Sequence, residues 1–217
     1  MKSFLKIIFV FACCSIHLFA CAQKNKNTKK VTMNQPINEL KLDTATFGAG
    51  CFWCVEAQFQ KLKGVVKVES GFSGGHVAHP SYKLVCGGQT GHAEVANIYY
   101  DPAVISYDEL LAAFWVAHDP TQLNRQGEDV GTQYRSVIFY HNEEQKQKAE
   151  LYKNRLNEEG AYPSKVVTEI SPFTNFYRAE EYHQNYYNDN GSQPYCMFVI
   201  KPKLEKFEKA FKEKLKK

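Results

Sequence analysis

The sequence predicts an α/β (α+β) fold whose core is a ferredoxin-like split βαβ plait, elaborated with extra helices and loops. Three observations predict it. Runs with strand-like and helix-like spacing follow one another in the order β-α-β-β-α-β, the signature of that plait. The length, 217 residues without an internal repeat, fits one domain with appendages. Hydrophobic residues make up 44% and charged residues 23%, the balance of a globular chain.

Taken in order, residues 44–47 read as a short strand ended by Gly48-Ala49-Gly50. Cys51 opens a helix in which Phe52, Val55, Phe59 and Leu62 recur at helical spacing, and Gly64 stops it. Residues 65–70 are a β-branched strand run, followed by a glycine-rich loop over 71–91 that exceeds the usual connection length, a trait of functional loops. Residues 94–100 alternate like a strand and stop at Asp101-Pro102. Ser106 is placed to cap a helix running to residue 116, with Asp108 and Glu109 in its first turn and Leu110, Leu111, Phe114 and Trp115 as its apolar side. A second polar loop covers 118–132, and a strand over 134–140 completes the plait. A helix over 143–157, a strand over 165–170 and a helix over 178–188 read as additions. A strand over 196–200 and a helix over 204–214 close the chain.

The formal net charge of +4 is small and dispersed, and no arginine stripe or zinc-finger spacing is present, which argues against a nucleic-acid partner. The lysines of 24–30 and 201–217 read as a solvated linker and a solvated helix face. Aromatic residues reach 14%, with 13 Tyr, a supply of hydroxyl donors for an otherwise apolar cleft. At the N-terminus, Lys2 and Lys6 precede an apolar stretch over 7–20, too short for a stable membrane span but suited to export. It closes in Leu18-Phe19-Ala20-Cys21, which resembles the lipobox of bacterial lipoproteins. The expected organisation is a signal peptide over 1–20, a lipidated Cys21 heading a polar tether over 21–41, and a domain over 42–217. The protein is then exported and membrane-anchored, in the periplasm or cell envelope. The alternative is an ordinary signal peptide with a neutral Cys21.

Of seven cysteines, Cys13 and Cys14 lie in the signal and Cys21 is the anchor, leaving Cys51, Cys54, Cys86 and Cys196. Four cysteines in an exported chain suit two structural disulfides. A domain of this size needs no staples, however, and Cys51 and Cys54 are too close to close a useful loop. A reactive role is more economical. In Gly50-Cys51-Phe52-Trp53-Cys54 the first cysteine sits at a strand-to-helix junction, where unpaired backbone N–H groups stabilise a thiolate. The preceding glycines let the chain turn tightly and leave the sulfur exposed. Cys-x-x-Cys alone also fits a thioredoxin-like dithiol or half a zinc site, but no second ligand pair lies at matching spacing.

Here the chain resembles the A-type peptide methionine sulfoxide reductases. The matching blocks are 48–56, 71–75, Tyr82-Lys-Leu-Val-Cys-Gly-Gly-Gln-Thr-Gly-His-Ala-Glu94, Tyr100-Asp101-Pro102, HDPTQLNRQGEDVGTQYRS over 118–136, and 179–186 with 193–200. Together they span about residues 44–210. The resemblance implies reduction of the S epimer of methionine sulfoxide, free and in proteins. Cys51 is then the nucleophile and Glu94 the acid that protonates the sulfoxide oxygen. Tyr82 and Tyr134 hydrogen-bond that oxygen. Phe52 and Trp53 form aromatic walls for the S-methyl group. Asp129 and Tyr186 contact substrate or support those that do. His92, His118 and His183 read as structural hydrogen-bonders. The plainer alternatives are an exposed strand carboxylate for Glu94 and ordinary packing for the aromatic rings.

Attack leaves Cys51 as a sulfenic acid, which a second thiol condenses with. The commoner family pattern has glycine where Cys54 stands. Cys54, in the same helical turn, is the expected resolving thiol. Cys196 matches the family's distal recycling cysteine and either relays the disulfide outward or is a strand residue without a redox role. Cys86 is expected to be inert or accessory. No metal or organic cofactor is implied. The implied reductant is thioredoxin, or an exported thioredoxin-like relay. Two rival readings are a general thiol-disulfide oxidoreductase using the Cys51/Cys54 pair and a lipoprotein binding module for Met-rich or oxidised partners.

Overall fold

The computed structural model describes residues 41–217. The segment read as a signal peptide, Cys21 and all but the last residue of the tether lie outside the described residues. The elements are β1 (Asp43–Ala49), α1 (Phe52–Phe59), β2 (Val65–Ser73), α2 (Tyr82–Cys86), β3 (Ala93–Tyr100), α3 (Tyr107–Ala117), β4 (Arg125–Gln126), β5 (Asp129–Val130), β6 (Ser136–Tyr140), α4 (Glu143–Glu158), β7 (Glu169–Pro172), β8 (Tyr177–Arg178), α5 (Tyr186–Asp189) and α6 (Lys201–Ala210). Short 3₁₀ turns lie at Thr132–Tyr134, Glu181–His183 and Lys212–Lys214, and a π-helical turn, Cys196–Ile200, leads into α6.

The large sheet runs β7-β6-β1-β3-β2-β8. Its four central strands, β6-β1-β3-β2, pair antiparallel throughout, and α1 and α3 make the two crossovers. This is the split βαβ plait, so the predicted fold class is borne out. Beyond it, β7 adds in parallel to β6, and β8 adds two residues to the far edge, pairing Arg178 with Gly71 and Tyr177 with Phe72.

The main core lies between one face of the sheet and the helices. Phe47 of β1 is fully buried, with the Phe114 ring of α3 at 5.0 Å and the Phe59 ring of α1 at 5.7 Å between centroids. Each such ring contributes about 1.5–3 kcal/mol by leaving water. Successive strand residues point to opposite faces, so Glu94 shares the helix-side face of β3 with Ala96 and Ile98 of this core. Ala93 and Val95 face the other way, with Val137, Phe139, Phe173 and Phe176. Glu94 is therefore delivered to the start of α1 by the sheet itself.

The helix at 106–116 forms as its signals dictate. The Ser106 side chain accepts from the Glu109 N–H, and the Glu109 carboxylate accepts from the Ser106 N–H at 2.9 Å.

Four expectations need correction. The long loops carry structure of their own: β2 runs on to Ser73, α2 lies within 71–91, and β4 and β5 form a small hairpin within 118–132. The strand expected at 165–170 begins only at Glu169, because the Val166 and Val167 N–H groups bond to Asn157 Oδ1 and Pro120 O instead of a ladder. The helix expected at 178–188 is replaced by β8, a 3₁₀ turn and the single turn of α5. Its polar side chains are taken by other segments: Gln184 satisfies the Ser70 N–H and C=O, and Asn185 turns left-handed at φ 53°. Finally, 196–200 is helical, with Cys196 and Ile200 buried four residues apart and Met197 and Phe198 exposed. A five-residue apolar run fits a strand or a buried helical turn equally well by periodicity.

Candidate active site

Gly50, at φ +89°, reverses the chain at the end of β1, and a Cβ there would meet the Gln126 side chain at 2.6 Å. An L side chain is strained at that angle. The turn sets Cys51 as the residue capping α1, with Cys54 one turn on; the Cys54 N–H donates to the Cys51 carbonyl at 3.0 Å. Around them lies a second apolar cluster, made of Phe52, Ala57, Phe72, Val85, Ala179, Cys196 and Ile200 and flanked by Trp53, Tyr82, Tyr134, Tyr186 and Tyr195. The four described cysteines are free thiols.

The expected exposure of the nucleophile is not what folds. Cys51 is 6% exposed and Cys54 3%. Burial pushes the Cys51 thiol well up, and the neighbouring Cys54 raises it further, while the Tyr195 hydroxyl and the Trp53 N–H pull the other way. Cys54 is lowered, chiefly by the hydrogen bond from Cys51 and with help from the Lys203 ammonium, against the opposing effect of burial. The pair thus gives up one proton readily and a second only with difficulty, because two adjacent thiolates out of water repel.

The helix N-terminus is divided between two acids. The Phe52 N–H donates to Glu94 Oε2 at 3.0 Å, and the Trp53 N–H acts on the Cys51 sulfur. Glu94 is 1% exposed, and its other oxygen, Oε1, is buried without a partner. Burial, and then the charge of Cys51, hold its carboxyl well above the ordinary value, which favours its protonated form. Glu94 is no exposed strand residue.

Tyr82 and Tyr134 approach from α2 and from the 3₁₀ turn before β6, and both hydroxyls feel the Glu94 charge. Burial raises both tyrosines, which keeps them as donors. Tyr82 is anchored through its N–H, which donates to Glu180 Oε1 at 3.0 Å. Trp53 stacks on Tyr186 at 3.7 Å, and Phe52 lies 6.1 Å from Tyr82 with planes 21° apart. Asp129, on β5, accepts from the Tyr195 hydroxyl at 2.8 Å. Cys196 is fully buried in the same cluster as Cys51 and Cys54, on a helical turn and not on a strand. Cys86 is exposed, and partial desolvation raises its thiol. Cys51, Phe52, Trp53, Cys54, Tyr82, Tyr134, Tyr186 and Cys196 thus share one cluster, with Glu94 joined to it through the Phe52 N–H and Asp129 through Tyr195.

The histidines divide. His92 accepts from the Gly75 N–H at 3.0 Å and meets Val77 O at 2.7 Å. His118 bridges Phe114 O and Ser136 Oγ, and burial holds its pKa down at about 4. Both are structural hydrogen-bonders. His183 is not: its two ring nitrogens are buried without partners, and its ring lies among Tyr82 (4.2 Å), Phe52 (5.2 Å) and Trp53 (5.5 Å). Its role is packing behind the aromatic walls.

Tyr195, Glu56 and Lys203 were not legible as site residues. Tyr195 stands directly before Cys196, and Glu56 closes the block that begins at Gly48, so both lay inside blocks already noted. Lys203 carried no signal beyond its place in a lysine-rich helix.

A proton-sharing thiol pair against a buried carboxyl that holds its proton tightly defines a thiol-dependent oxidoreductase on a split βαβ plait. A family model described as peptide methionine sulfoxide reductase matches residues 43–215, and the chain belongs to this family. It is 53% identical over 172 residues to a peptide methionine sulfoxide reductase MsrA of Natronomonas pharaonis, covering 79% of this chain and 97% of that one. With the enzyme of the same name from Acinetobacter baumannii strain AYE it shares 54% over 175 residues, covering 81% and 99%. Among solved structures, the reduced form of Mxr1 from Saccharomyces cerevisiae superposes with a TM-score of 0.68 at 37% identity, covering 73% of this chain and 91% of that one. The resemblance carried by the motifs is borne out.

Proposed function

We propose that the chain reduces the S epimer of methionine sulfoxide, free and in proteins, by the route its dithiol and buried acid support. The observation that carries it is Glu94: one oxygen is fixed on the Phe52 N–H, and the other is unpartnered beside Cys51. A binding module has no use for an acid held there, and thiol-disulfide exchange offers no oxygen for it to protonate.

The Cys51 proton passes to Cys54, and the Cys51 thiolate attacks the sulfoxide sulfur. Glu94 gives its proton to the oxygen, while Tyr82 and Tyr134 donate to it as charge develops. The Phe52 and Trp53 rings receive the S-methyl group, and their π faces favour the cationic character that grows on sulfur. Methionine leaves, the oxygen stays on Cys51 as a sulfenic acid, and Glu94 is left as carboxylate. The Cys54 sulfur then attacks the Cys51 sulfur; the S–S bond forms, the S–O bond breaks, and the Cys54 proton leaves with the hydroxyl as water. A dithiol reductant of the thioredoxin type restores both thiols, with Cys196 as a second acceptor on that path. Signal cleavage before Cys21 and lipidation there would put this repair at the cell envelope.

The test is a set of single turnovers without external reductant. Cys51→Ser should release no methionine. Cys54→Ser should release about one equivalent and accumulate the Cys51 sulfenic acid. Methionine release by Cys51→Ser would overturn the assignment of the nucleophile.

A further inference from the structure

We propose that Lys203 is the charge partner of Cys54 and holds the thiolate that closes the disulfide onto Cys51. This rests on the reading of Cys54 as the resolving thiol.

Lys203 belongs to the first turn of α6, and its Nζ lies 4.0 Å from Cys54 Sγ. That sulfur is 3% exposed. A thiolate without hydration needs a cation or donors in its place. The groups that face it are few. Cys51 lies across the pair, Asp129 faces it from β5 and opposes its charge, and Tyr195 faces it from the start of the π-helical turn. The Tyr195 hydroxyl also favours its charge, but it has one hydrogen, which it shares with Asp129 at 2.8 Å. Once Cys51 has become a sulfenic acid, its thiol proton is gone and no longer supports Cys54. Lys203 is then the remaining cation at the sulfur. Among the described residues, no carboxylate lies within ion-pair distance of the Lys203 ammonium, which also acts on His118.

The π-helical turn explains the placement. It buries Cys196 and Ile200 on one side and continues directly into α6, so the first turn of that helix reaches the end of α1 where Cys54 stands. Lys203 promotes the second half of the reaction, where Cys54 gives its proton to the departing hydroxyl and attacks as the anion, and no further reactant is required. In the first half it only disfavours the proton that Cys54 takes from Cys51, so its removal does not slow methionine release.

The experiment uses the full reduced chain mixed with one equivalent of methionine S-sulfoxide. Methionine release is timed by acid quench, and the Cys51 sulfenic acid is timed by dimedone trapping with peptide mapping, across pH. K203M should slow loss of the sulfenic acid about tenfold at pH 7 and move the midpoint of that step upward in pH. K203R, which keeps the charge, should restore most of the rate, and K209M on the exposed side of α6 should match the wild type. A wild-type closing rate and midpoint in K203M would overturn the proposal, as would equal slowing of methionine release and closure. C54S separates the two readings. If it clears the sulfenic acid at the wild-type rate through a Cys51–Cys196 bond, the resolving role of Cys54 fails, and that of Lys203 with it. If C54S retains the sulfenic acid while K203M clears it normally, only the lysine's role falls.

Discussion

Trp53 and Tyr186 lie face to face, their ring centroids 3.7 Å apart and their planes 7° from parallel. One comes from the first turn of α1 and the other from α5, far along the chain. Their contact is built by Glu56, one turn after Trp53, whose Oε1 accepts the Asn185 N–H at 2.9 Å. Asn185 adopts a left-handed conformation to make that bond, and the next residue is Tyr186. A buried carboxylate on the helix thus fixes one wall of the pocket proposed for the S-methyl group.

Tyr186→Ala should raise the KM for methionine sulfoxide about tenfold while lowering kcat less, because in the proposed route the ring backs the Trp53 wall and takes no part in proton transfer. The lost ring pair should also lower stability by about 1 kcal/mol in urea unfolding. An unchanged KM would remove Tyr186 from the pocket.

Burial lifts the Glu56 carboxyl to about 7, against the Asn185 and Tyr186 N–H groups that favour its charge. A carboxyl raised on folding binds its proton more tightly in the native state, so its contribution is complete below about pH 4.5 and is lost as pH rises toward 7. In Glu56→Gln that loss disappears. The difference in unfolding free energy between the two proteins should therefore move in the variant's favour by about 3 kcal/mol between pH 4.5 and 8. A difference that stays flat with pH would show that Glu56 ionises normally.

Glu94→Gln should slow the first release of methionine by about 10²–10⁴. The wild-type rate should fall as pH climbs through the raised Glu94 value, because the acid is active only while protonated. The variant should lack that limb. Equal slowing with the limb retained would assign the acid to another group.

Ser106→Ala should cost about 1 kcal/mol of stability by removing the reciprocal cap with Glu109, and turnover should not change. Loss of activity at a temperature where the variant stays folded would contradict the separation of this cap from the site.

The plait was legible because its strands alternate and its second crossover helix carries a clear cap at Ser106, while the first ends at Phe59, short of the stop expected at Gly64. The thiol pair was legible from its own residues, Cys51 and Cys54 after Gly50, whereas Glu94 at the head of β3 was legible only through the resemblance of its block. The stretch from 178 to 200 was not. There Glu180 and Gln184 spend their side chains on the backbone of Tyr82 and Ser70, and the helix is lost to partners roughly a hundred residues away. The environment of Cys51 was also hidden. Its place before a helix suggested an exposed, activated thiolate, but the aromatic cluster buries it, and Glu94 takes the first free N–H of the turn. Desolvation of this kind arises from tertiary packing alone.

The most direct test is a single turnover of the reduced full chain with methionine S-sulfoxide and no external reductant, followed by mass mapping of disulfides. About one methionine per protein together with a Cys51–Cys54 bond is the predicted result. No methionine released from fully reduced thiols would contradict the account at its centre.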